Sequence, residues 1–272
     1  MSLPQPSTVS EHQLDWSPHV TIAAFRSSAA SRLCRVASNN VPDRSRRLPL
    51  RIELFLVAHD DETGRPHIDR DTLARGLAVA ILLDLWLEGR VHIGWRFDAR
   101  TGRGTPEPGL IRVVDRRPLG DPLADSVLAT LWRTGGGVRI DDFITQLAAT
   151  GLYDRVQADM IASGILRRTT RRRFWFFTTD VCRTAHTAYP VRVRFRLRQL
   201  AGRPRPGVTE PALDPRPVAL AGLVTALGLT RYLYPPDTTL SHLYERLRGH
   251  VEDQTDPTIR DVTTAIGRRS GF

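Results

Sequence analysis

The chain has 272 residues, 41% hydrophobic and 25% charged, the composition of a water-soluble globular protein long enough to bury a large core. All 39 basic residues are arginine, and the absence of lysine excludes a Walker A phosphate clamp, a Schiff-base nucleophile and a Ser-x-x-Lys pair. The net charge of +10 is concentrated: Ile165 to Arg205 holds twelve arginines against one acid, Asp180, while the rest of the chain has 27 arginines against 28 acids. Such a segment is the footprint of a surface for a polyanion, either nucleic acid or anionic lipid, and a solvated charged face is the plain alternative.

Residues 1 to 48 are rich in Ser, Pro, Asn and Arg, and read as a poorly ordered extension ahead of a domain over 49–272. The start "MSLPQPSTVSEHQLDW" has neither the basic nor the apolar region of a secretory signal, so none is expected. Leu50 to Val57 is an apolar segment ending in the turn "DDETGRP". Asp71 is expected to cap a helix from Thr72 to about Glu88, stopped by Gly89. Its stretch "GLAVAILLDLWL" is apolar on nearly every face, which marks a buried central helix, and Asp84 within it needs a hydrogen-bond or arginine partner. That run is too short for a membrane-spanning helix, which needs about 20 residues.

"RVHIGWRF" alternates as a strand, with "GLIRVVD" returning antiparallel after the turn "DARTGRGTPEP". Helices follow from Asp121 and Pro122, from Asp141, and from Leu152 to Ser163. Next comes a second hairpin: a strand from Ile165, a turn near Thr169 to Arg172, and a return strand from Phe174 to Thr178. "VRVRFRLRQL" has the period of a strand and the position of a linking helix, and the pattern leaves both open. Further helices are expected over Arg216 to Leu229, after Asp237 with Leu240, Leu243, Tyr244, Leu247 and Val251, and after Asp256. The sum is a mainly α, single globular domain around a buried central helix, with two β-hairpins.

No H-E-x-x-H, C-x-x-C, G-x-S-x-G or dinucleotide fingerprint occurs, and "HDDE" at His59 to Glu62 falls among turn formers, so neither metal nor cofactor is expected. Binding is favoured over catalysis. In "RRTTRRRFWFF", Arg167, Arg168, Arg171, Arg172 and Arg173 precede Phe174, Trp175, Phe176 and Phe177. A winged-helix DNA-binding regulator has a basic wing after a helix, but "YDRVQADMIAS" places Asp154 and Asp159 where a recognition helix would meet phosphate. An anionic membrane surface uses the same arginines for attraction and the aromatic rings for insertion. A third reading packs alternate aromatics beneath the hairpin.

"LFLVAHDDETGRPHIDRDTLARGLAVAILLDLWLEGRVHI", "VVDRRPLGDPLADSVLATLW", "DRVQADMIASGILRR" and "RPVALAGLVTALGLT" resemble the Golgi phosphoprotein 3 family in its actinobacterial form. The resemblance runs from about Leu48 onward. It implies a mostly helical fold and a peripheral membrane protein on the cytoplasmic face that binds phosphatidylinositol 4-phosphate or other anionic phospholipids. It also implies a hairpin for membrane contact or self-association, and an adaptor role toward membrane enzymes. The family's lipid pocket falls at Asp69, Ala78, Thr150 and Tyr153, where its Trp and Arg residues are not retained. Arg70, Arg75 and Arg155 lie close by as substitutes.

Overall fold

A computed structural model describes residues 47–97, 104–135, 137–173, 177–202, 214–234, 245 and 257–267, all within a unit spanning Ser45–Phe272. The expected extension over residues 1–48 lies almost wholly outside the described residues.

Pro49, in an extended conformation, leads into helix α1 (Leu50–Val57), all of whose residues are buried, Arg51 and Glu53 included. Buried charges persist only when paired. The Arg51 guanidinium forks onto the Asp121 carboxylate at 2.5 and 3.0 Å and reaches Asp159 at 3.9 Å. Glu53 pairs with Arg196.

Helix α2 (Arg70–Leu87) is capped by Asp69, whose side chain accepts from the Thr72 amide at 2.7 Å. The expected cap, Asp71, stands in the first turn instead. A cap needs an extended backbone and reaches the third helical amide, and Asp69 meets both conditions at φ −61°, ψ 153°. Gly89, at φ 65°, ends the helix. Every residue from Leu73 to Leu85 except Arg75 is buried. Asp84 sits 4% exposed on this helix. One of its oxygens accepts from the Leu50 amide at 2.9 Å, and the other pairs with Arg216. The carboxylate thus joins α2 to the start of α1 and to helix α7 (Pro215–Ala226).

Strands β1 (Val91–Phe97) and β2 (Gly104–Val113) pair antiparallel, with a break in register: Ile93 faces Ile111 but Trp95 faces Pro106, so the surplus residues lie on β2 opposite Gly94, which takes φ 84°. β3 (Val138–Arg139) adds to β2, so the expected first hairpin is a three-stranded sheet. β2 also begins inside the stretch read as a turn. Pro106 and Pro108 fit there because β3 pairs only with Leu110 and Ile111, leaving the outer edge at the prolines without a ladder to break.

Helix α3 (Pro122–Arg133) starts as expected, with Asp121 accepting from Leu123 and Ala124 amides and Pro122 in the first turn. α4 (Ile140–Ala149) buries Phe143, Ile144 and Leu147. α5 (Leu152–Ala162) buries Val156 and Met160 but leaves Ile161 half-exposed.

The second hairpin is longer than its sequence suggests. β4 (Leu166–Arg173) pairs with β5 (Phe177–Thr184) in unbroken register from Leu166↔Thr184 to Arg173↔Phe177. The turn expected at Thr169 to Arg172 is therefore strand, and the described part of the return strand runs from Phe177. A Thr-Thr pair favours extended backbone and lacks the positive-φ residues a tight hairpin turn requires. Phe174, Trp175 and Phe176 lie outside the described residues, as do the side chains of Arg171, Arg172, Arg173 and Phe177.

The ambiguous "VRVRFRLRQL" is helical, within α6 (Ala188–Gly202). The helix expected to reach Leu229 ends at Ala226, with Gly228 at φ 65° before the short α8 (Thr230–Leu233). α9 (Pro257–Gly267) buries Ile259, Val262 and Ile266. It crosses α7 at Gly222, where an added Cβ would come within 3.2 Å of Thr263. Leu240, Leu243, Tyr244, Leu247 and Val251, the apolar positions of the helix expected after Asp237, lie outside the described residues. The architecture is mainly helical with small antiparallel sheets.

Replacing Asp84 with Ala strands the Leu50 amide and the Arg216 guanidinium, and is expected to cost roughly 3–5 kcal/mol in denaturant unfolding, with Asp84→Asn losing less. Burial lifts the Asp84 pKa from 3.8 to about 6 against the pull of Arg216 and the Leu50 amide. The folded state then holds the extra proton between those values, so this group's contribution is most favourable below about pH 4 and declines as pH rises through 6. Asp84→Asn should remove that component from a pH series of unfolding curves.

Candidate anion-binding surface

Arg70 opens α2 and is well exposed, its side chain 64% accessible. Its guanidinium lies 4.9 Å from the centre of the Tyr153 ring and 3.9 Å from the Asp154 carboxylate. The Tyr153 hydroxyl lies 2.9 Å from His59 Nε2, and His59 Nδ1 lies 2.7 Å from the Phe55 carbonyl. Since a carbonyl only accepts, Nδ1 carries the proton and donates to it. Nε2 of the neutral ring therefore accepts from Tyr153. Burial holds the His59 pKa down at about 4, so the ring is neutral at pH 7, and it stacks on Phe55 at 3.9 Å. Both ring nitrogens are occupied, which settles the role of the "HDDE" histidine as a packing and hydrogen-bonding group. Tyr153, held from behind, offers Arg70 a fixed aromatic face.

Arg155 donates to the Thr150 hydroxyl at 3.3 Å, and burial lowers its pKa while neighbouring Asp159 opposes that. Arg75 is half-buried on α2, with its Nε lacking a hydrogen-bond partner. The three substitute arginines thus occupy separate local settings. Two touch positions that the family resemblance assigns to its pocket: Arg70 lies over Tyr153 and Arg155 bonds Thr150. Of the other two, Asp69 is a helix cap and Ala78 is fully buried.

At the hairpin, Ile165 and Leu166 are buried while Arg167 and Arg168 are exposed. The hairpin base meets the loop after α1 around a small cavity of about 10 Å3, lined among others by Phe55, His59, Asp61, Leu166, Cys182 and Arg183. It has room for about one water and none for a lipid head group. His59 lines this cavity and also bonds Tyr153, so the Arg70 setting and the hairpin base adjoin one another.

The charge surplus of residues 165–205 is less available than its sequence suggests. Arg194 pairs with Asp61 and Arg196 with Glu53, so these two serve the fold. Sequence reasoning missed both pairs, because the acids lie 133 and 143 residues away.

The fold is that of a helical domain bearing a basic antiparallel hairpin. The chain belongs to the Golgi phosphoprotein 3 (GPP34) family, whose model matches residues 50–266. That family is one of non-catalytic adaptor and lipid-binding proteins. No curated protein sequence matches the chain. Among the described residues no helix is long and apolar enough to cross a membrane.

Folding lowers the His59 pKa from 6.5 to about 4, so the unfolded chain binds the extra proton between those values. The stabilisation from neutral His59 is complete above about pH 6.5 and is lost as pH falls toward 4, opposite in sign to Asp84. His59→Phe should flatten that part of the unfolding profile. Tyr153→Phe, which removes the hydroxyl donor but keeps the ring beneath Arg70, is expected to cost only about 1 kcal/mol in the same assay.

Proposed function

We propose that the protein binds the cytoplasmic face of a membrane peripherally, through anionic phospholipid head groups of which phosphatidylinositol 4-phosphate is the leading candidate. The observation that carries this reading is the arginine-rich hairpin, with Arg167 and Arg168 exposed at its base, joined through His59 and Tyr153 to Arg70. Arg70, Arg75, Arg155, Arg167, Arg168, Arg171, Arg172 and Arg173 supply the charge. Phe174, Trp175, Phe176 and Phe177 supply the apolar contact. Residues 1–48 are an extension outside the lipid-binding domain. Family membership supports an adaptor that retains membrane enzymes, and the sequence resemblance is to the actinobacterial form of the family.

Contact with an open surface fits better than an enclosed pocket, because the cavity beside the hairpin is too small for a head group. The hairpin arginines meet phosphates as point charges, each worth about 1 kcal/mol near an anionic bilayer. The winged-helix reading is weakened by α5, which buries Leu152, Tyr153, Val156 and Met160 and exposes Asp154.

Vesicle flotation tests the proposal. The protein is expected to float with phosphatidylserine or phosphatidylinositol 4-phosphate vesicles and not with phosphatidylcholine alone. Arg167→Ala with Arg168→Ala should lower partitioning about thirtyfold, and Trp175→Ser with Phe176→Ser should weaken it with the thermal transition retained. Failure to float, together with steeply salt-dependent binding to duplex DNA, would replace the lipid reading with the regulator.

A further inference from the structure

We infer that helix α6 carries a second lipid-contacting face: an apolar ridge of Val191 and Phe195, edged by arginines, that lies on the anionic bilayer beside the hairpin. This inference rests on the peripheral membrane reading above and extends it to a surface outside the hairpin and the α2–α5 arginines.

The sequence "VRVRFRLR" alternates with period 2 but folds as a helix, where residues four apart share a stripe. The alternation is thereby sorted into four stripes. Val193 and Leu197 face inward and are fully buried, with Leu200 and Ala201 continuing that side. Val191 and Phe195 share the stripe opposite and are 59% and 56% exposed. Arg192 and Arg196 run along one edge of the ridge, and Arg194 and Arg198 along the other.

Two of these arginines fix the roll of the helix. Arg196 pairs with the buried Glu53 of α1, and Arg194 pairs with Asp61 in the loop after α1, one pair on each edge. With both edges tied down and the inner stripe packed, Val191 and Phe195 cannot turn toward the core. Their outward position is therefore built in, which leaves a small apolar ridge of Val191 and Phe195 on adjacent turns open to an occupant.

Charge complementarity identifies that occupant. Arg198 is exposed beside the ridge, and α6 contains no acidic residue. A protein partner would need far more area, on the order of 800 Å2 per side for a stable interface, than two side chains provide. A bilayer needs less: a few apolar groups at the acyl boundary with arginine stems reaching back to phosphates. The position agrees. Asp61, which holds Arg194, also lines the cavity at the hairpin base, so the middle of α6 lies next to the hairpin.

Partitioning of the full chain onto phosphatidylcholine/phosphatidylserine vesicles tests this. Phe195→Ser is expected to weaken partitioning roughly tenfold with an unchanged thermal melt, and Phe195→Leu to restore most of it. Arg198→Ala should weaken it about fivefold at low salt and less at high salt. If Phe195→Ser shifts the melt, the Arg198→Ala result decides. Wild-type binding that neither variant alters would overturn this inference while leaving the hairpin reading intact. A wild-type dimer in sedimentation that Phe195→Ser dissociates would instead make the ridge a contact between copies. Wild-type failure on every anionic vesicle would remove the membrane reading, and this face with it.

Discussion

The carboxylate of Asp84 holds the domain's most buried elements to one another. It lies on a helix whose neighbouring residues are almost all apolar and fully buried, where an unpaired acid would be intolerable. It is kept there by one backbone amide at the start of α1 and one guanidinium from α7. Around it, α1 behaves as an internal strut. Its eight residues are buried, and its two charged side chains each leave for a different element, Arg51 to the α3 cap and α5, Glu53 to α6. Apolar packing alone tolerates small slides and rotations of helices. Directional charge pairs to four separate elements do not, and they fix the register in which α3, α5, α6 and α7 surround α1 and α2.

That arrangement sorts the arginines into two populations. Arg51, Arg194, Arg196 and Arg216 are spent on acids within the fold. Arg167 and Arg168 at the hairpin base, Arg70 over Tyr153, and Arg198 on α6 remain exposed. A chain with no lysine uses one side chain for both purposes. The planar guanidinium serves the buried forks and ring contacts as well as phosphates. The neutral His59 links the two populations: it anchors Tyr153 from the core side while Arg70 rests on the ring's outer face.

Much of this was legible in the sequence, and the exceptions have common causes. The buried helix, the need of Asp84 for a partner, the Asp121–Pro122 start and the glycine stops were readable because burial and capping are local patterns. The cap falls at Asp69 and not at Asp71 because two aspartates flank one arginine and only backbone geometry chooses between them. Thr169 to Arg172 are strand where a turn is expected, because arginine and threonine carry no turn signal that fixes register. Tyr153 was noted only as a departure from the family's pocket, and no sequence signal ties it to His59 across 94 positions.

The sequence by itself determined the mainly helical class, the family, the concentration of positive charge near the second hairpin, and the absence of lysine-dependent chemistry. Each depends on composition or on residues a few positions apart. Tertiary structure decided which arginines are available to a partner, because that turns on acids more than a hundred residues distant. It also decided that "VRVRFRLR" is a helix. A period of 2 is the mark of a strand when read alone, but the inward stripe of Val193 and Leu197 and the pairs to Glu53 and Asp61 favour the helical turn. Those contacts exist only once α1 and its loop are in place.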